Sequence, residues 1–271
     1  MYHMPGSGAD VTQYWDYGRW AKDPLSSPLF DGSEYSLGGN GAAVTTTGRV
    51  GAGAAAAAPA MPGMPGMGAT GGSFGGGFSP AGKGVGGGCI TTGPFKNMTI
   101  NLGPMSAVVA PTPPKNPMAN GYGYNPRCIR RDITSALGQA YGTTAAIATF
   151  ISRFDKVKGF QDYMQGGSGI HGVGHFTVSG DPGGDFYISP NEPSFWLHHA
   201  MIDRTWTIWQ SLDYKTRMMQ MEGGTSMMGF GKAQTLDDPV ENYVVGDKSP
   251  SGYKIRDLLS SVDGPFCYVY E

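Results

Sequence analysis

The 271-residue chain is short of the features that mark a partner or a compartment. Charged residues make up only 15 % of it and the formal net charge is −2, so it offers no basic face of the kind that nucleic-acid binding needs. No apolar run approaches the roughly 18 residues that read as a membrane span. The alanine tract at 54–58 is too short and too weakly apolar. The start, Met1-Tyr2-His3-Met4-Pro5, has neither the basic nor the apolar stretch of a secretory signal peptide. There are three cysteines, Cys89, Cys128 and Cys267, with no Cys-x-x-Cys spacing, which argues against a thiolate metal site. An odd count leaves at least one thiol unpaired. Cys89 and Cys128 flank a loop region and can form a disulfide, and three unbonded thiols is the equal alternative. The glycosylation sequon Asn97-Met98-Thr99 carries meaning only in a secreted protein.

What the chain has in excess is glycine, 45 residues, much of it in one place. Residues 49–88 are Gly, Ala, Met and Pro, with a small repeat, Met61-Pro62-Gly63-Met64-Pro65-Gly66-Met67. Such a stretch buries too little apolar surface to offset its ordering entropy and reads as a disordered insert. Its methionines are soft donors for cuprous ion, but Met within Gly/Pro filler reads as filler. Residues 1–48 read as loop with short ordered aromatic pieces such as Tyr14-Trp15-Asp16-Tyr17.

Order is expected to resume near Cys89. Thr99-Ile100-Asn101-Leu102 alternates weakly, as a short strand would, and 107–127 reads as a surface connection. From Arg130 the apolar spacing turns helical, with one piece through Ile133, Leu137 and Tyr141, a second over Ala145–Phe154 and a third over Phe160–Gln165. Residues 194–210 predict a longer helix with Pro193 near its start. Beyond Met221 the chain reads as irregular until Phe266–Tyr270, which alternates like a closing strand.

The chemistry gathers near residue 200. His171 and His175 stand four apart, so on a helix they share a face and can point at one ion. Gly172 and Gly174 between them cost that helix about 1 kcal/mol each relative to Ala, so packing or metal must hold it. A third imidazole comes from His198-His199 on the next helix. Adjacent residues on one helix are not expected to face the same ion together, so one would ligate while the other packs behind. Asp203, one turn after His199, is placed to orient an imidazole, and Arg204 to pair with Asp203 or with Asp185. Three neutral nitrogens with an open position suit copper or zinc. Zinc peptidases carry a Glu beside the first histidine of the pair, where this chain has Gly172, and copper is the better fit.

The pattern His171-x-x-x-His175, then Pro193-x-Phe195-x-x-His198-His199-x-x-x-Asp203-Arg204-x-Trp206, resembles the copper B half of the tyrosinase family. These are the type 3 copper proteins, which include tyrosinases, catechol oxidases and molluscan haemocyanins. Tyr14-Trp15-Asp16-Tyr17, Asp23–Gly32, Gly88–Phe95 and Asn125–Cys128 resemble segments of fungal secreted members, and Tyr268-Val269-Tyr270 resembles the motif that closes the family's core. Glu192 stands where the family pattern usually has Asp. The resemblance implies that His171, His175 and His199 are the copper ligands, that Phe195 packs on a ligand ring and that His198, Asp203 and Arg204 lie just outside the coordination shell. It implies a mainly α fold, part of a four-helix copper domain with long irregular loops and a few short strands. It implies three segments: 1–48 as the part after copper A, 49–88 as the insert, and 89–271 as the copper B half.

The expected activity is oxidation of phenols or catechols to o-quinones with dioxygen, with no nucleic acid and no membrane involved. In the family an Asn after the first copper B histidine helps to take a proton from a monophenol. Gly172 holds that place here and favours diphenol oxidation over monooxygenase chemistry. Two coppers need six imidazoles, and this chain has five histidines, of which His3 and His198 are spare. The chain is therefore expected to be a fragment lacking copper A, inactive alone, from a protein that is secreted when intact. The alternative is a non-enzymatic remnant that binds copper or carries dioxygen. The inner helix face, Trp206 and Trp209 included, is expected to be exposed.

Overall fold

The structure is a computed structural model that describes residues 10–11, 13–44, 84–105, 113–166, 169–225, 231–240 and 253–270. Among the described residues six α-helices run in chain order: α1 (Ala136–Tyr141), α2 (Thr144–Arg153), α3 (Val157–Gln165), α4 (Ile170–Val178), α5 (Ser194–Ser211) and α6 (Tyr214–Arg217). Strands are short: β1 (Asp10–Val11), β2 (Gly41–Ala43), β3 (Gly87–Ile90), β4 (Thr99–Ile100), β5 (Arg127–Cys128) and β6 (Tyr268–Val269). The mainly helical expectation holds. No helix among the described residues is long and apolar enough to cross a membrane.

The chain divides into two compact units. One comprises Trp15–Ile147 and Met164–Met201. Here β2 pairs antiparallel with β3, Gly41 opposite Ile90, and β4 pairs antiparallel with β5, Thr99 opposite Cys128. The strand at 99–100 was legible in the alternation, whereas the glycine-rich β2–β3 ribbon was not. Ile90, Ile100 and Ile129 form a buried cluster beneath these ribbons. Cys89 and Cys128 are disulfide-bonded with a Cα–Cα distance of 5.6 Å, and Cys267 is a free, exposed thiol. Most of the proposed 49–88 insert lies outside the described residues. Its last part is ordered: the Gly84 and Gly86 amides donate to the Asp132 carboxylate.

Within this unit α4 packs against α1. Ile170, Val173 and Val178 of α4 are buried, and the burial of this face is what holds a helix that contains two glycines. The loop from α4 to α5 is tied down by two buried ion pairs. The Arg127 guanidinium meets Asp181 at 2.5 Å, and Arg131 meets Glu192 at 2.6 Å with both side chains almost fully covered. Arg130 and Asp181 also exchange backbone hydrogen bonds, at 2.7 and 3.1 Å. Gly180 makes this approach possible: its φ is +72°, and a Cβ there would lie 2.2 Å from the Arg130 carbonyl oxygen.

The other unit comprises Met1–Tyr14, Ala148–Tyr163 and Ile202–Glu271. Here β1 pairs in parallel with β6, so the closing strand at the C-terminal end is present, with Asp10 opposite Tyr268. An aromatic pile fills the core. Phe150 stacks on Phe160 at 4.5 Å and on Tyr163 at 5.0 Å, and Phe160 lies 4.9 Å from Trp209. Trp209 is 0 % exposed, and its indole N–H donates to the Phe154 carbonyl at 2.7 Å. This corrects the expectation of an exposed inner face at Trp209, while Trp206 is half-buried. Phe160 of α3, the Phe154 carbonyl in the turn before it and the Arg217 guanidinium, 4.9 Å over the ring, cover the indole that the chain was expected to leave bare.

Candidate metal centre

α4 presents His171 and His175 one turn apart, and the first turns of α5 present His198 and His199. The Nε2 atoms of His171 and His175 are 3.2 Å apart, and those of His175 and His199 are 3.4 Å apart. Two nitrogens bound tetrahedrally at about 2.0–2.1 Å from one ion stand about 3.3 Å apart, so these gaps have the right size for a shared ion. His198 is close as well: one ring nitrogen from each of the four histidines lies within 4.8 Å of the others. α4 approaches α5 so closely at Gly174 that the buried His198 ring stays beside the other three.

Burial sets the protonation of the group. Desolvation, reinforced by the neighbouring imidazoles, lowers the His175 pKa to about 3, while a hydrogen bond with the Gly183 backbone works the other way. Desolvation and then His171 lower His199 to about 4. Desolvation also lowers His171, and it lowers the fully buried His198 well below the usual value. All four are neutral at pH 7, the form in which an imidazole lends its lone pair to a metal. This donor set fits a copper or zinc ion and contains no carboxylate.

The other residues singled out in the sequence fall into two groups. In the histidine-bearing unit, Phe195 stacks on His199 with centroids 4.0 Å apart and ring planes 25° apart, which fixes that ring's rotation. Gly172 leaves open space, since a Cβ there would meet only the Phe176 ring at 3.9 Å. Glu192 accepts the Ser194 amide at 3.3 Å and hydroxyl at 3.2 Å at the start of α5, where a carboxylate favours the helix dipole. In the other unit, the Asp203 carboxylate accepts the Tyr268 hydroxyl at 2.8 Å and the Tyr270 hydroxyl at 2.5 Å. The Arg204 guanidinium lies 4.6 Å over the Tyr14 ring. Asp203 and Arg204 therefore engage aromatic residues from both ends of the chain and do not pair with each other. Sequence reasoning missed the Arg131–Glu192 pair. Its only signal was a lone acidic residue just before Pro193, and its partner stands 61 residues upstream.

Comparison with known proteins agrees with this geometry. The family described as the common central domain of tyrosinase matches residues 6–212. Tyrosinase P of Aspergillus terreus is 32 % identical over 265 residues, which is 95 % of this chain and 67 % of that protein. N-acetyl-6-hydroxytryptophan oxidase ivoB of Emericella nidulans is 34 % identical over 207 residues, 69 % of this chain and 54 % of that protein. Among solved structures, a Gly-to-Asn variant of the polyphenol oxidase from Thermothelomyces thermophila superposes with a TM-score of 0.73 at 32 % identity, covering 95 % of this chain and 65 % of that one. The chain thus spans between about half and two thirds of the length of these proteins. With the histidine pair on α4, the doublet on α5, the helical fold and these matches together, the chain belongs to the tyrosinase family, whose members are copper-binding oxidoreductases.

Proposed function

We propose that His171, His175 and His199 hold one copper ion, the copper B of a type 3 pair, in a protein that oxidises phenols or catechols to o-quinones. The observation that carries this reading is the spacing of their Nε2 atoms, 3.2 and 3.4 Å, in neutral imidazoles. Copper, when bound, supplies the redox chemistry with dioxygen. In balance, two catechols each give up two electrons and two protons, and one dioxygen becomes two waters.

The chain's own residues prepare the site for this. Burial keeps the three imidazoles neutral, so copper displaces no proton from them at pH 7. Phe195 fixes the His199 ring. Gly172 offers no group to take a phenol proton and leaves room beside His171, which favours catechols that lose their protons readily over monophenols that need a base. The Cys89–Cys128 disulfide supports a secreted protein.

The histidine count favours a narrower role for these 271 residues taken alone: five histidines cannot build two triads. By itself the chain would hold one copper without oxidising catechol, which is the copper-binding alternative. Copper analysis of the purified chain decides this. We expect about one copper per chain, lost in His171→Ala, His175→Ala or His199→Ala, and no quinone from catechol. Undiminished uptake in all three variants refutes the ligand assignment, and two tightly held coppers refute the half-site.

A further inference from the structure

A small cavity of about 10 Å³ lies directly behind the imidazoles, in the histidine-bearing unit. That is room for about one water. Its polar lining comes from His175, His198, Ser189, Glu192 and Ser194. His198 is 2 % exposed; the His171 backbone carbonyl is within reach of one ring N–H, and no other partner meets its nitrogens among the described residues. A neutral imidazole carries one N–H donor and one lone pair; the His171 carbonyl can take only the N–H, and leaving the lone pair unmet in a buried place is costly. On the other side of the cavity the Glu192 carboxylate is unevenly used. Oε1 accepts from Arg131 Nη2 at 2.6 Å and from Ser194, while Oε2 accepts only from Arg131 Nε at 3.2 Å.

We propose that this cavity binds one ordered water joining His198 to the Glu192 carboxylate, and that His198 is thereby a positioning residue for the imidazole cage. The water donates one hydrogen to Glu192 Oε2 and the other to the lone pair of the remaining His198 nitrogen, which selects the tautomer and fixes the ring. The fixed ring bears on the proposed ligands. It lies parallel to His171, at 14° with centroids 5.6 Å apart, and edge-on to His175 at 4.7 Å. Gly174 sets the other limit on it: a Cβ there would sit 2.1 Å from His198 Nδ1. The Arg131–Glu192 pair that anchors the start of α5 is thus connected to the cage through one water and one ring.

The positioning role rests on the copper assignment, but the water does not, so the test has two separable parts. A high-resolution crystal structure of the full chain without copper should show a water within about 3.2 Å of both a His198 nitrogen and a Glu192 oxygen. A dry cavity, or a water touching neither group, overturns the proposal. Copper-loaded wild type, His198→Gln and His198→Leu are then compared by electron paramagnetic resonance. We expect one copper in each, a changed parallel hyperfine splitting in the Leu variant and recovery toward wild type in the Gln variant, which can still bond a water. A Leu spectrum identical to wild type overturns the positioning role, and so does one nitrogen coupling fewer in both variants, which would put His198 on the ion itself. A wild-type chain that takes up no copper fails the copper assignment alone, and the crystal still decides the water.

Discussion

Two glycines two residues apart on α4 show how differently one residue type can serve the same site. Gly172 faces open space, with only the Phe176 ring within 4 Å of a built Cβ. Its cost to the helix is intrinsic, the backbone entropy of glycine. Gly174 is there for clearance, because any side chain would drive into the His198 ring. Opposite responses to the same substitution follow. Gly172→Ala should stabilise the metal-free chain by about 0.5–1 kcal/mol. Gly174→Ala should destabilise it by about 1–3 kcal/mol, since the ring can yield only into the one-water cavity beside it or against the other imidazoles. Urea denaturation of both variants checks the signs, and a Gly174→Ala protein as stable as wild type would mean that α4 and α5 are not packed as described. Gly172→Asn has room for its Cβ, so a change in its preference between phenols at an unchanged melting temperature can be read as chemistry and not as damage.

At the level of elements, the site depends on how the start of α5 is held. Glu192 and Arg131 are both buried, and Arg131 also donates to the Gly38 and Gly39 carbonyls at 3.0 and 3.2 Å, so the guanidinium is fully enclosed by acceptors. Removing one partner of such a pair leaves a charge without water or counter-ion. Glu192→Ala should therefore cost about 3–5 kcal/mol, whereas replacing both residues together by apolar ones of similar volume should recover most of that loss. Thermal denaturation of the single and double variants measures this, and an additive double variant would mean that the charge itself is not the problem. The sequence revealed the elements better than these ties. α5 was legible from Pro193 and its apolar spacing, and the α4 pair from two histidines four apart. The ion pairs join residues more than 50 apart in the chain, and no local periodicity encodes such a distance. The glycine-rich β2–β3 ribbon was hidden for a different reason: it has few side chains to alternate, and its pairing is set by close backbone contact. Trp209 was misread because the residues that cover it, Phe154 and Phe160, look like ordinary helix-face positions until the chain folds back.

For the whole molecule, the consequence is a folding equilibrium linked to copper. The three proposed ligands come from α4 and α5 within one unit, so the unfolded chain, with its histidines scattered and protonating near pH 6.5, has no comparable site. An ion that binds only the folded form stabilises it by mass action, about 2.7 kcal/mol at a free concentration one hundred times the dissociation constant. Cupric ion should therefore raise the melting temperature of the wild-type chain, a chelator should return it to the metal-free value, and His199→Ala should show almost none of the shift. His198→Gln should keep most of it, because the proposed assignment puts that ring beside the ion and not on it. A shift that survives in His199→Ala would trace the stabilisation to some other copper site. A shift that vanishes equally in His198→Gln would make the buried imidazole a ligand. The variants thus separate the cage from its support by a single solution measurement on the full chain.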